Sequence, residues 1–272
     1  GIYLNVVTSL EFERMLSASG PFAGEVVRPS DGKHPVKVAF IQCVGSRDTS
    51  CGHGYCSSVC CMYATKEAVI AKEHDSHIRP TIFYLDIRAF GKGFEQYINR
   101  ARDEQGIRYV RSMVSSVREI PNSGSLRVQY AGFEGGAPQV LEEEFDLVVL
   151  SVGLEPAEGT REMAEKLGLR LNQYNYCEAG PFKPTLTNQP GIFVAGGFGE
   201  PKDIPETVIE ASSAAASVSC LLADSRGTLT RQPVYPIERD VSEEEARVGV
   251  FVCHCGINIG GVVNVPEVVD YA

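Results

Sequence analysis

The sequence predicts an α/β protein in which a parallel sheet carries an antiparallel β-meander, and three observations predict it. Short apolar runs alternate with helix-period segments over residues 36–110, the grammar of parallel βαβ units. Alternating segments follow over residues 107–145, broken at Asn122-Ser123-Gly124 and at Gly135-Gly136, as in a meander. A last apolar run over residues 147–152 reads as a buried strand that returns to the sheet.

Each element has its own local reason. Residues 36–42 are apolar, rich in β-branched side chains and close on a glycine, which makes them a strand. Residues 57–74 repeat apolar positions at helical spacing, and residues 79–90 read as a second buried strand. A second helix, over residues 93–106, ends at Gly106. Beyond residue 154 a short apolar strand is expected at 192–195, then a glycine turn, then a small-residue helix over 204–223. Mixed charge and prolines over residues 224–247 read as a linker, and "VGVFVCHCGINIGG" reads as the start of a new strand.

Composition narrows the function. With 272 residues, 43% of them apolar, the chain can bury sizeable cores. A formal charge of −10 leaves no basic stripe for a phosphate backbone, which argues against nucleic acid. No apolar run reaches the ~18 residues of a membrane span. The opening "GIYLNVVTSLEFERML" has no basic, then apolar, secretory pattern, so a reducing cytoplasm is expected. In that compartment clustered cysteines point to metal or redox chemistry, and the odd total of nine speaks against a disulfide framework.

Cys43, Cys56, Cys60 and Cys61 are spaced C-x12-C-x3-C-C. Cys43 falls at the carboxyl end of the first strand, where α/β sheets place their ligand crevice. Cys56 precedes the next helix, and Cys60 and Cys61 lie in its first turn, so the four can converge. The helix N-terminus is expected to lower the thiol pKa values and ready them for iron or zinc. Four thiolates suit an iron-sulfur cluster or tetrahedral zinc; small buried core residues are the plain alternative. Cys51, in a glycine-flanked loop, reads as the spare. The cysteine loop occupies the place of a G-x-G-x-x-G turn, so this domain is not expected to bind NAD(P)H in the usual way.

A second feature is "AGGFGEPKDIPETV", a strand-turn-helix that offers Gly196 and Gly197 for close backbone approach, Asp203 as a polar partner and free amides near residues 206–208. Read alone, such a turn is more often plain packing than a ligand site. Lys66 reads as a solvated helix residue that could reach a flavin N5 from the cysteine helix.

Together "FIQCVGSRD", "YCSSVCCMYATKEA", "YLDIRAFGKGFEQ" and "VAGGFGEPKDIPETVIEASSAAA" resemble the A subunit of heterodisulfide reductase over roughly residues 1–223. The order of parts is similar to the thioredoxin-reductase-like fold, a Rossmann-type FAD/NAD(P)-binding architecture. The resemblance implies an internal fragment with a partial FAD-domain segment at 1–35, a pyridine-nucleotide-like domain at 36–153, the second half of the FAD domain at 154–226, a linker at 227–247 and a further module from 248. It implies a [4Fe-4S] cluster on Cys43, Cys56, Cys60 and Cys61, and FAD contacts at Lys66, Gly196, Gly197, Asp203, Thr207 and Val208. It also implies flavin-based electron transfer or bifurcation, with other heterodisulfide-reductase-like subunits and electron carriers as partners. The sequence departs from the family in lacking G-x-G-x-x-G and the ferredoxin-type cysteine runs, so FAD is expected to bind weakly or not at all in this chain alone. Phe198 stands where the fold commonly has an acid. The alternative is a non-catalytic interaction domain that keeps the fold and holds zinc.

Overall fold

Val38, Ala39, Phe40 and Ile41 are apolar at successive positions, so a strand built from them needs cover on both faces. The computed structural model of the chain, which describes residues 2–134 and 137–272, gives that strand both covers. It is β2 (Lys37–Val44), the centre of a five-stranded parallel sheet. Around it lie β1 (Val6–Thr8), β8 (Leu147–Val152), β3 (Arg79–Tyr84) and β4 (Arg108–Arg111), in the order β1-β8-β2-β3-β4. Helix α2 (Cys60–His74) connects β2 to β3, and α3 (Phe94–Asp103) connects β3 to β4.

Alternation along β2 separates two cores. Val38 and Phe40 join Phe12, Ala64, Ala68, Ile82, Leu147 and Val149 under the helices. Ala39 faces the other way with Phe83, Val148, Leu126, Val128 and Phe145. That second core is closed by the antiparallel sheet β5 (Val114–Glu119), β6 (Leu126–Glu134) and β7 (Ala137–Phe145). The parallel sheet with its meander is as the sequence predicts; the expected break at Gly135-Gly136 lies outside the described residues.

The first 35 residues join this unit through an element that the apolar pattern alone does not announce. Helix α1 (Ser9–Leu16) starts at a capping box, in which Thr8 and Glu11 satisfy each other's backbone amides. It lies against α2 and β8. Asn5 donates to the Gly124 carbonyl at 2.7 Å and Arg28 donates to the Ser123 carbonyl at 2.6 Å, tying this segment to the turn between β5 and β6.

Two compact units result, one of residues 1–158, 201–203 and 255–263, the other of residues 159–200, 204–254 and 264–272. The second contains α4 (Thr160–Leu167), α5 (Ile204–Leu221) and α6 (Val265–Tyr271). Two expected strands do not form. Residues 192–195 make only an isolated bridge, Leu186 to Phe193, because Pro184 and Pro190 interrupt the segment opposite. Residues 248–255 are irregular, with Val250 and Phe251 exposed, since no strand among the described residues pairs with them. No helix among the described residues is long and apolar enough to cross a membrane.

A carboxyl breaks the apolar pattern of α2. Glu67 sits on the buried face with Cys60, Ala64 and Ala68, only 2% exposed, and burial pushes its carboxyl up to about 8, with Glu13 adding to the rise and Lys66 opposing it. The folded chain therefore holds this proton more tightly than the unfolded chain. The contribution of Glu67 to stability is full in acid and falls by about 1.4 kcal/mol per pH unit from pH ~5 to ~8. Denaturant unfolding across that range should show the slope in the native sequence and lose it in Glu67→Gln.

Candidate functional site

The site begins with a fault in β2. Register with β8 shifts between Ile41 and Val44, and Cys43 adopts φ 62°, a left-handed conformation that disfavours every residue with a Cβ. Strict alternation would place Cys43 with Ala39 and Ile41 on the meander face. The bulge turns it out of that alternation at the carboxyl end of the strand.

The chain then makes a small hairpin and comes back. Arg47 donates to the Tyr55 carbonyl at 2.7 Å, and Asp48 and His53 exchange backbone bonds at 2.9 Å each. Two buried hydroxyls lock its base: the Ser57 amide donates to Ser46 Oγ at 3.0 Å, and the Leu154 amide donates to Ser57 Oγ at 2.8 Å. This returns Cys56 beside Cys43 and fixes both to the end of β8. The closeness of the strands there depends on Gly153, where a Cβ would stand 2.7 Å from Ser57 Oγ and 2.9 Å from Ser46 Cβ. Cys51 lies at the exposed tip and donates to the Asp48 carbonyl at 3.4 Å.

Helix α2 supplies the other two thiols from its first turn. Its N-cap is Val59, which has no side-chain oxygen to offer, so the first amides keep the orphan character of an uncapped helix start. Cys60 and Cys61 are both buried. Each pair among the four thiols interacts electrostatically: Cys43 with Cys56 and Cys61, Cys60 with the other three, and Cys61 with Cys56. Cys51 is not among these partners.

The thiols are gathered but not closed on a point. Cys60 Sγ donates to the Val152 carbonyl and Cys61 Sγ to the Asp86 carbonyl, both at 3.7 Å, so the two lean toward opposite strand ends. Among the described residues no three histidine, cysteine or acidic side chains stand at metal-binding separation. The donor set nevertheless fits iron: four soft sulfur ligands, a strained residue presenting one of them, and unsatisfied amides behind two others. Arg47 bridges the rim to Asp86, and Arg88 stands 3.9 Å from the same carboxylate.

The expectation of lowered thiol pKa values is overturned. Burial pushes Cys60 up to about 12 and raises Cys43 and Cys61, with the neighbouring thiols adding to the rise. Loss of water around the sulfur is the largest cause for each of the three. A metal would have to displace the protons that burial holds on Cys43, Cys60 and Cys61.

The glycine turn is a separate piece of the chain. Gly196 takes φ 72° with its Cβ direction 3.0 Å from Thr207 Cγ2, and its amide donates to Glu210 Oε2 at 2.8 Å. Gly197 has open space on its side. Helix α5 begins at Ile204 with Pro205 in its first turn, and Val208 is exposed. Asp203 precedes that helix. Lys66 is on the side of α2 away from Cys61, half-exposed, and pairs with Glu13 at 2.8 Å.

The sequence matches the profile of the family described as pyridine nucleotide-disulphide oxidoreductase over residues 27–215. It is 42% identical over 257 residues to the iron-sulfur A subunit of CoB–CoM heterodisulfide reductase from Methanocaldococcus jannaschii, covering 93% of this chain and 38% of that protein. It is 44% identical over 246 residues to the second iron-sulfur A subunit of the same enzyme from Methanopyrus kandleri, covering 90% and 36%. A third relative is the A subunit of the H(2):CoB-CoM heterodisulfide,ferredoxin reductase from Methanothermobacter thermautotrophicus, 40% identical over 255 residues, 93% and 37% covered. The chain thus spans little more than a third of the length of these relatives.

Two outcomes test the geometry. Iron uptake under anaerobic conditions should release protons and run faster at pH 9 than at pH 7, as read by a pH indicator and by absorbance. Gly153→Ala should cost about 1–3 kcal/mol by overpacking and depress iron content, because Ser46 and Ser57 must move apart.

Proposed function

The chain belongs to the pyridine nucleotide-disulphide oxidoreductase family, and on that premise we propose that it is an electron-transfer segment of a heterodisulfide-reductase-A-like oxidoreductase. The observation that carries the reading is the convergence of Cys43, Cys56, Cys60 and Cys61 at the end of β2 and the start of α2. When bound there, a [4Fe-4S] cluster supplies one-electron capacity, and FAD supplies the exchange between electron pairs and single electrons.

The protein's own residues have definable tasks. Cys43 and Cys56 hold one side of the site through the Ser46–Ser57 lock, and Cys60 and Cys61 hold the other on a rigid helix. Arg47, paired with Asp86, sets positive charge beside Cys43 and covers the rim. The glycine turn and helix start of Gly196, Gly197, Asp203, Thr207 and Val208 form the candidate flavin contact, and Lys66, paired with Glu13, is the candidate for N5. Relatives named as subunits of heterodisulfide reductases support a place in a multi-subunit complex, with electron-carrier proteins as partners and flavin-based bifurcation as the finer role.

Anaerobic reconstitution followed by iron and sulfide analysis and EPR tests the assignment. The native chain should bind about four irons and four sulfides and give a reducible iron-sulfur signal. Cys60→Ser should lose or alter it, while Cys51→Ser should keep it. About one zinc without labile sulfide, or an unchanged signal in Cys60→Ser, would overturn it.

A further inference from the structure

Between α1, α2 and β8 lies a line of buried polar groups that ligation of a metal does not use. Tyr63 donates to the Val152 carbonyl at 2.7 Å, the same oxygen that Cys60 Sγ meets from 3.7 Å. Ser9, buried at the start of α1, hydrogen-bonds the Tyr63 hydroxyl. Glu67 is one turn further along the same face of α2. Its Oε2 is buried with no hydrogen-bond partner among the described residues, as are the Gln42 amide and the Ser151 hydroxyl. Gln42 follows Phe40 on β2 and Ser151 follows Val149 on β8, so strand alternation carries both to the helical side of the sheet, beside the cysteines.

A carboxyl in this setting needs a reason. An uncompensated buried charge is costly and a buried protonated acid without a partner is still unfavourable, whereas the neighbouring core positions are alanines. The groups facing Glu67 are Glu13 from α1 and Tyr63 and Lys66 from α2, with Glu13 and Lys66 at the half-exposed outer end and Cys60 at the inner end. The polar line therefore runs from solvent-accessible charge to the cysteine site.

We propose that Glu67 is a proton-binding positioning residue for the electron carrier held by the four cysteines, taking up one proton when one electron arrives and releasing it when the electron leaves. This rests on the iron-sulfur reading above. The electron comes from a one-electron donor, the flavin in that reading or dithionite in the assay. The proton comes from solvent to a Glu67 carboxylate oxygen, so the net charge of the buried region does not change. Cys60 and Glu67 are seven residues apart, about 10 Å along the helix axis. At that separation and an effective dielectric near ~20, one added charge changes a proton affinity by roughly tenfold. The raised carboxyl of Glu67 puts the exchange in the alkaline range.

The test is the midpoint potential of the reconstituted cluster, followed by EPR-monitored titration with dithionite from pH 6 to pH 10. In the native chain the potential should be constant near neutrality and fall as pH rises through about 8. Glu67→Gln, which keeps the shape and cannot titrate, should remove the fall while retaining iron content and EPR line shape. Glu13→Gln, at the exposed end, should move the onset to lower pH, since the like charge that raises Glu67 is gone. A potential that falls equally in Glu67→Gln, or stays flat in the native chain, overturns the coupling and leaves the cluster reading intact. Failure of the native chain to hold iron overturns both.

Discussion

Everything at the site depends on one unfavourable backbone conformation. Cys43 in the left-handed region costs on the order of 1–3 kcal/mol, and it persists because its neighbours leave no alternative. Phe40 is fully buried on one side of it, Val44 is paired with Val152 on the other, and the Gly153 amide donates to the Val44 carbonyl at 2.8 Å. Relaxing the residue to an ordinary strand would return its thiol to the meander core. Strain, bulge and cysteine belong together, as they do where a fold aims a side chain at a ligand.

Burial shapes the chemistry that follows. Burial raises the thiol pKa of Cys43, Cys60 and Cys61, so these three resist ionising in the folded chain. Under the proposed ligation, iron would reverse that preference, each Fe–S bond replacing a proton and, for Cys60 and Cys61, also a weak hydrogen bond to the Val152 or Asp86 carbonyl. The same burial acts on Glu67 and is the basis of the coupling proposed between its proton and a charge two turns away.

Much of this was legible in the sequence. Apolar runs located β2 and β8 within two residues, since strands covered on both faces carry continuous hydrophobicity, and they located the start of β3, whose expected run to residue 90 stops at Tyr84. The cysteine spacing located the site because strand end and helix start are adjacent in any parallel βαβ unit. What stayed hidden depended on contacts remote in sequence. Ser46, Ser57 and Gly153 lock the hairpin across about a hundred residues, and nothing local marks them. The T-x-x-E box at Thr8 and Glu11 was a usable signal for α1. The run at 192–195 and the segment after Val248 looked like strands because hydrophobicity alone says nothing about whether a partner exists. The pKa direction failed for a related reason: a helix end is visible in sequence, whereas the depth of burial is not.

The central claim is that four particular sulfurs close around one iron-sulfur cluster. X-ray absorption at the iron edge of the anaerobically reconstituted chain measures it directly. Sulfur should be the sole nearest neighbour of iron, with an iron–iron vector at the distance of a cubane cluster. Iron surrounded by oxygen or nitrogen without an iron neighbour, or zinc held by the same cysteines with no iron retained, would contradict it.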